Sequence, residues 1–242
     1  MTLLDKARGS LFGGAVGDAL GFEVEFSSLN GILNRYGAPG ITDYALDTKG
    51  IARFSDDTQM TLFTAEGLLS AYQSDLDPSP VDIRRCIKDA YLAWFETQTA
   101  FQLPLSSSWL THIRDLWNRR APGNTCLSAL SELKEGREVN NSSKGCGGVM
   151  RVAPIGIYFA AHPSATQNLQ QTTADVAADA AHLTHHHAMS DYSSALAALL
   201  ILNCILEEKT MTRQRLRAIT AKSLPLAFSV DTDNHCAEEF ES

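Results

Sequence analysis

Ser55-Asp56-Asp57-Thr58 sets two adjacent carboxylates between two hydroxyls, directly ahead of an apolar-periodic run. Neighbouring like charges repel and raise one another's pKa, so the pair is most easily kept ionised when something positive sits against it. A divalent cation is the economical answer, and four oxygen-bearing side chains suit Mg²⁺ or Ca²⁺ rather than zinc. The tetrad also reads as a helix start. In that reading Ser55 is the N-cap, and Asp56 and Asp57 favour the positive end of the helix dipole.

Two other clusters have residue types suited to chemistry. Gly145-Cys146-Gly147-Gly148 is a glycine-rich turn ahead of Val149, whose backbone N–H groups can cradle a phosphate or a ribose. A tight turn is the plain alternative. His182, His185 and His186 are spaced i, i+3 and i+4, so on one helix they share a face that zinc could use. The chain has no HExxH, and the tetrad asks for a hard ion, so zinc is not the expected metal.

The elements that must position these groups read as helices. Residues 57–72 repeat apolar positions at spacings of three and four, and Ser79-Pro80 is an N-cap followed by N1. Further helices are expected around Leu110–Trp117, Leu127–Leu133, 174–188, 190–207 and 212–222, with 195–206 almost wholly apolar and so central. Residues 149–159 hold the one β-branched cluster, and Pro154 argues against a central strand there. Long turn-rich connections lie at 27–52, 97–107 and 136–147. The expected fold is an all-α, single domain over residues 1–242 with large, functional loops.

Composition narrows the partners. The chain has 242 residues, 44% hydrophobic and 20% charged, with a formal charge of −8. That sign argues against nucleic acid, and an anionic small ligand needs local help from a metal, an arginine or helix N-termini. Five cysteines without CxxC spacing fit reduced thiols and a cytoplasmic protein. Lys6 and Arg8 before an apolar stretch imitate a signal peptide, but Asp18 interrupts that stretch. It reads as mature structure, and no membrane partner is expected.

Five segments, in order, carry a resemblance. Residues 9–26 read GSLFGGAVGDALGFEVEF, 53–69 RFSDDTQMTLFTAEGLL, 120–130 RAPGNTCLSAL, 144–156 KGCGGVMRVAPIG and 181–189 AHLTHHHAM. Together they resemble the ADP-ribosylglycohydrolase family, of the dinitrogenase-reductase-activating and ADP-ribosylarginine-hydrolase type, over about residues 4–205. The resemblance implies an all-α fold around two Mg²⁺ ions, cleaving a glycosidic bond at the ribose of an ADP-ribosylated protein or a related ADP-ribose conjugate.

It implies Ser55, Asp56 and Asp57 as metal ligands, Asp57 also acting in catalysis. Glu25 becomes the substrate-side carboxylate and candidate general base, although by itself it reads as an exposed glutamate at a helix end. Gly145, Cys146, Gly147, Gly148 and His185 become ligand contacts, with His186 and His187 bystanders and Asp18 a hydrogen-bonding residue. Many relatives have Asn where this chain has Cys146, and a thiol lacks the amide's donor–acceptor pair.

The family's second acidic motif is the missing part. Asp231-Thr232-Asp233-Asn234 imitates it, but no glycine precedes it and a polar tail follows, so it reads as a chance match. The expectation is therefore a C-terminally truncated domain with an incomplete second metal site. The apolar helix at 195–206 would lose cover, favouring self-association. Beside the hydrolase stands a second reading, a non-catalytic ADP-ribose binder or an immunity-type protein that blocks an ADP-ribosyltransferase.

Overall fold

Five of the nine helices among the described residues are started by a hydroxyl. In this computed structural model, which describes residues 1–100, 108–163 and 166–230, Thr2 caps α1 (Leu3–Gly21) and accepts from Asp5 N at 3.1 Å while Asp5 reaches back to Thr2 N. Ser28 caps α2 (Leu29–Tyr36), and Ser55 caps α3 (Asp56–Ser74). Ser79 caps α4 (Pro80–Thr99), whose first residue is the proline. Each side-chain oxygen satisfies a backbone N–H that the first helical turn leaves unpaired. α5 (Asn124–Lys134), α6 (Ala153–Ala161), α7 (Leu169–His182), α8 (Ala188–Leu206) and α9 (Arg213–Ala227) follow. Among the described residues no strands pair into a sheet; Leu46 and Ala52 form one isolated bridge.

The core lies where α3, α4, α6, α7 and α8 meet, around Phe63, Tyr91, Trp94, Ile155, Phe159 and Leu199, all fully buried or nearly so. The α3–α4 crossing is close enough to require glycine: a Cβ on Gly67 would lie 2.7 Å from Ile87 Cα. α8 is long and apolar enough to cross a bilayer, yet here α6, α7 and α9 pack against it and half of it is buried.

Two of the expected helices are revised, while 149–159 forms no strand, as Pro154 implied. Leu110–Trp117 is two 3₁₀ turns, Leu110–His112 and Arg114–Trp117, separated by extended backbone at Ile113; Leu110 and Leu116 still reach the core. Residues 149–159 form a 3₁₀ turn and then α6, with Pro154 in the first helical turn, where its missing N–H costs nothing.

The helix expected to run to residue 188 stops at His182, because polar groups from elsewhere claim its carbonyls. Arg151 donates to Ala180 O, and Asn141 donates to Thr184 O while accepting from His186 N. The three histidines therefore do not share a helix face. His182 and His186 stack with ring centroids 4.2 Å apart, and His185 turns the other way.

The exposed apolar surface is also not where the sequence suggested. α1 and α2 have no buried residue, and on α1 Phe12 is 70% and Val16 52% exposed. α1 is held by polar ties. Lys6 Nζ donates to the carbonyls of Ile205 and Glu207 at the end of α8, and Asp18 binds the start of α3.

Candidate active site

Asp18 explains how the tetrad is positioned. Its carboxylate accepts from Ser55 N at 2.9 and 3.0 Å and from Thr58 N at 3.1 Å, and also from the Thr58 hydroxyl. A carboxylate from α1 thus occupies the positive end of α3, tying the two helices together. Ser55 Oγ accepts from Asp57 N at 3.1 Å, so the hydroxyl is engaged as the N-cap.

The tetrad's two carboxylates then diverge. Asp57 lines a cleft of about 830 Å³ together with Asp18, Glu25, Ser55, Thr58 and Cys146. That volume lies within the usual range of small-molecule sites. Asp56 turns inward and is only 4% exposed. Its backbone N–H donates to Arg120 O at 3.0 Å and its Oδ2 accepts from Gly123 N at 3.4 Å, binding it to the loop 120–123. Ala121 in that loop has φ of 56°, a left-handed conformation unusual for a residue with a Cβ.

This concentration of negative charge is poorly balanced: among the described residues no lysine or arginine forms an ion pair with Asp18, Glu25, Asp56 or Asp57, and Arg120 acts on Asp18 only through space. Burial, and then the Asp57 charge, push Asp56 up to about 7. Burial and Asp18 raise Asp57; burial, then Asp57 and Asp18, raise Glu25. Acids that suppress one another's ionisation in a cleft form a donor set that fits a hard divalent cation. Among the described residues no three His, Cys, Asp or Glu side chains form a metal-holding group. The fit is therefore to an ion on one or two carboxylates, with the remainder of its shell from water or substrate, as Mg²⁺ commonly takes.

The glycine loop stands beside these acids. Cys146 is exposed in the cleft, its thiol pushed up by burial and by Asp57, so it is a poor nucleophile. Gly147 and Gly148 face inward: a Cβ on Gly147 would meet His185 Cε1 at 2.6 Å, and one on Gly148 would meet Ser190 Oγ at 2.2 Å. The loop consequently packs directly onto His185, which is only 2% exposed, and onto α8.

Of the residues singled out from sequence, Glu25, Ser55, Asp57 and Cys146 come together in the cleft. Asp56 and His185 are not among the residues lining it, and Gly145, Gly147 and Gly148 form the loop against which the His185 ring edge packs. Asp231 and Asp233 lie outside the described residues. Sequence reasoning passed over Arg151, a charged residue within the run Val149-Met150-Arg151-Val152 that proves fully buried; a charge in an apolar stretch was the available signal.

A helical fold with an acidic cleft bordered by a glycine loop is a small-ligand site whose negative charge has to be balanced by an ion or a cationic group. The ADP-ribosylglycohydrolase family model matches residues 1–239, and the chain belongs to that family. It is also similar to an uncharacterized protein of Archaeoglobus fulgidus, 27% identical over 243 residues, covering 97% of this chain and 68% of that protein. The family acts on ADP-ribose conjugates, which places the chain among hydrolases of that class.

Proposed function

We propose that the protein is a Mg²⁺-dependent hydrolase that releases ADP-ribose from a modified protein side chain or a related conjugate. The observation that carries this reading is the shared cleft, where Asp57 and Glu25 stand without a cationic partner among the described residues, next to Cys146 of the glycine loop. Breaking the anomeric bond passes through an oxocarbenium-like state, which nearby carboxylates stabilise. A divalent ion held at Asp57, with Glu25 beside it, would supply a water of lowered pKa and a clamp for ribose hydroxyls.

The chain's own residues do the rest. Asp57 directs negative charge at the reacting carbon, and Asp18 keeps it in place by holding the first turn of α3. Glu25, with its proton affinity raised by burial and by Asp57, is suited to take a proton from the attacking water. Backbone N–H groups of 146–148 supply the local positive potential that a protein of charge −8 needs to hold a diphosphate, the Gly145 N–H being given to Ser143 Oγ. Free thiols at Cys86, Cys126, Cys146 and Cys204 support a reducing, cytoplasmic setting.

The test is release of ADP-ribose from ADP-ribosylated arginine and serine peptides, with Mg²⁺ and then with EDTA. Release that needs Mg²⁺ and is lost in Asp57→Asn supports the reading. Calorimetric binding of ADP-ribose without release under either condition would replace it with the non-catalytic binder. Tight association with an ADP-ribosyltransferase that survives Asp57→Asn would indicate a blocking protein.

A further inference from the structure

Arg151 is fully buried, and among the described residues no carboxylate pairs with it. Its guanidinium lies over the Tyr91 ring at 4.3 Å. Nη2 donates to Ala180 O at 3.0 Å and to Thr184 Oγ1 at 2.6 Å, while Nη1 points at Met60 Sδ and Cys126 Sγ. A core cation without a counter-ion is costly, so its contacts should account for it.

An arginine has only donors, so Thr184 Oγ1 accepts from it and keeps one proton to give. Three groups are within reach of that proton: His185 Nδ1 at 2.8 Å, Ala181 O at 3.5 Å and the Cys126 thiol, a weak acceptor that already faces Arg151 Nη1. The imidazole nitrogen is the nearest of the measured contacts and a far stronger acceptor than a thiol, so Nδ1 takes the proton and the ring proton is left on Nε2. The opposite tautomer would consign the threonine proton to the 3.5 Å contact or to the thiol, and a doubly protonated ring would add a second cation beside Arg151. The far edge of the ring rests against the glycine loop, with Nε2 3.0 Å from where a Gly147 Cβ would stand. Nε2 has no hydrogen-bond partner among the described residues.

We propose that Arg151 and Thr184 are positioning residues: acting in series, they hold His185 as the Nε2–H tautomer, so that the ring offers a donor, never an acceptor, to an oxygen of the ADP-ribose conjugate held at the glycine loop. The ligand's identity rests on the function proposed above; the tautomer does not. This assigns the histidine a fixed polarity that its pKa alone would leave undetermined.

The tautomer is read from the ring-nitrogen NMR spectrum of the full chain labelled at histidine, with His185 identified by its loss in His185→Gln. Near neutral pH a protonated Nε2 and an unprotonated Nδ1 are expected. A proton on Nδ1, or on both nitrogens, overturns the proposal whether or not any ligand binds. Thr184→Val deletes the hydroxyl at nearly constant volume and is expected to lose the single tautomer, and Thr184→Ser to restore it. An unchanged Nε2–H ring in Thr184→Val would remove Thr184 from the series. Should that variant fail to fold, the wild-type spectrum still decides. ADP-ribose is then expected to shift the wild-type Nε2 resonance and to bind about tenfold more weakly to Thr184→Val. ADP-ribose that binds without moving Nε2 refutes the donor role. ADP-ribose that does not bind at all refutes the proposed function while leaving the tautomer assignment intact.

Discussion

Replacing Asp56 by Asn tests the claim that the tetrad carries uncompensated negative charge. Asp56 is 4% exposed, and its pKa in the folded chain is raised from 3.8 to about 7. A carboxyl group that holds its proton more tightly when folded adds no penalty below about pH 4, where both states are protonated. As pH rises through the window from about 4 to about 7, the unfolded chain releases the proton first and stability falls; above about pH 7 the loss is complete.

Raising that carboxyl from 3.8 to about 7 corresponds to ~4 kcal/mol, and relaxation of the folded state together with the cost of burying the new amide reduces the expected gain to about 1–3 kcal/mol. The Asn carbonyl can still accept from Gly123 N, so the loop 120–123 keeps its tie. In EDTA at about pH 8, Asp56→Asn should therefore melt roughly 2–12 °C above wild type, and the two should converge near pH 4. Thermal and urea denaturation across that range provide the measurement. Adding Mg²⁺ should raise the melting temperature of both proteins, since an ion held at Asp57 in the cleft binds either folded chain and stabilises it by mass action. A variant less stable than wild type at about pH 8 in EDTA, or a pH slope that the substitution leaves unchanged, would refute the reasoning.

Glu25→Gln should lower kcat by about 10²–10⁴ with an unchanged melting curve, because the group is on the cleft surface and its role is proton transfer; single-turnover ADP-ribose release checks this. Gly67→Ala should cost about 1–3 kcal/mol in urea titrations, since its methyl would collide with the α4 backbone rather than with a side chain that can swing away. Ala121→Gly should stabilise by about 0.5–1 kcal/mol, relieving a left-handed residue, with the gain read as a higher melting temperature. Cys146, although exposed, should alkylate with iodoacetamide more slowly at neutral pH than a free thiol does, as Asp57 and burial hold it protonated.

The helices were legible where local chemistry decides them. Ser79-Pro80 and Thr212 mark starts that any neighbourhood would respect, because a cap and its N–H partner lie within three residues. Leu110–Trp117 misled for the opposite reason. Its periodicity reports burial of Leu110 and Leu116, which two 3₁₀ turns achieve as well as one helix. The premature end of α7 was invisible because Arg151 and Asn141, which take up its last carbonyls, are some 30 to 45 residues away in sequence.

At the site the division follows the range of the interaction. The residue types of the tetrad, the hard-oxygen chemistry they offer and the family that the five segments resemble were all present in the sequence, since each depends on residues close together in the chain. Which carboxylate faces the ligand was not. Asp56 and Asp57 are adjacent, and one helical step sends them about 100° apart, so only the placement of α1 and the loop 120–123 around α3 turns Asp57 to the cleft and Asp56 inward. The pairing of Glu25 with Asp57, and the run from Arg151 through Thr184 to His185, likewise exist only once distant segments are packed together, because their forces act over a few ångströms of space rather than along the chain.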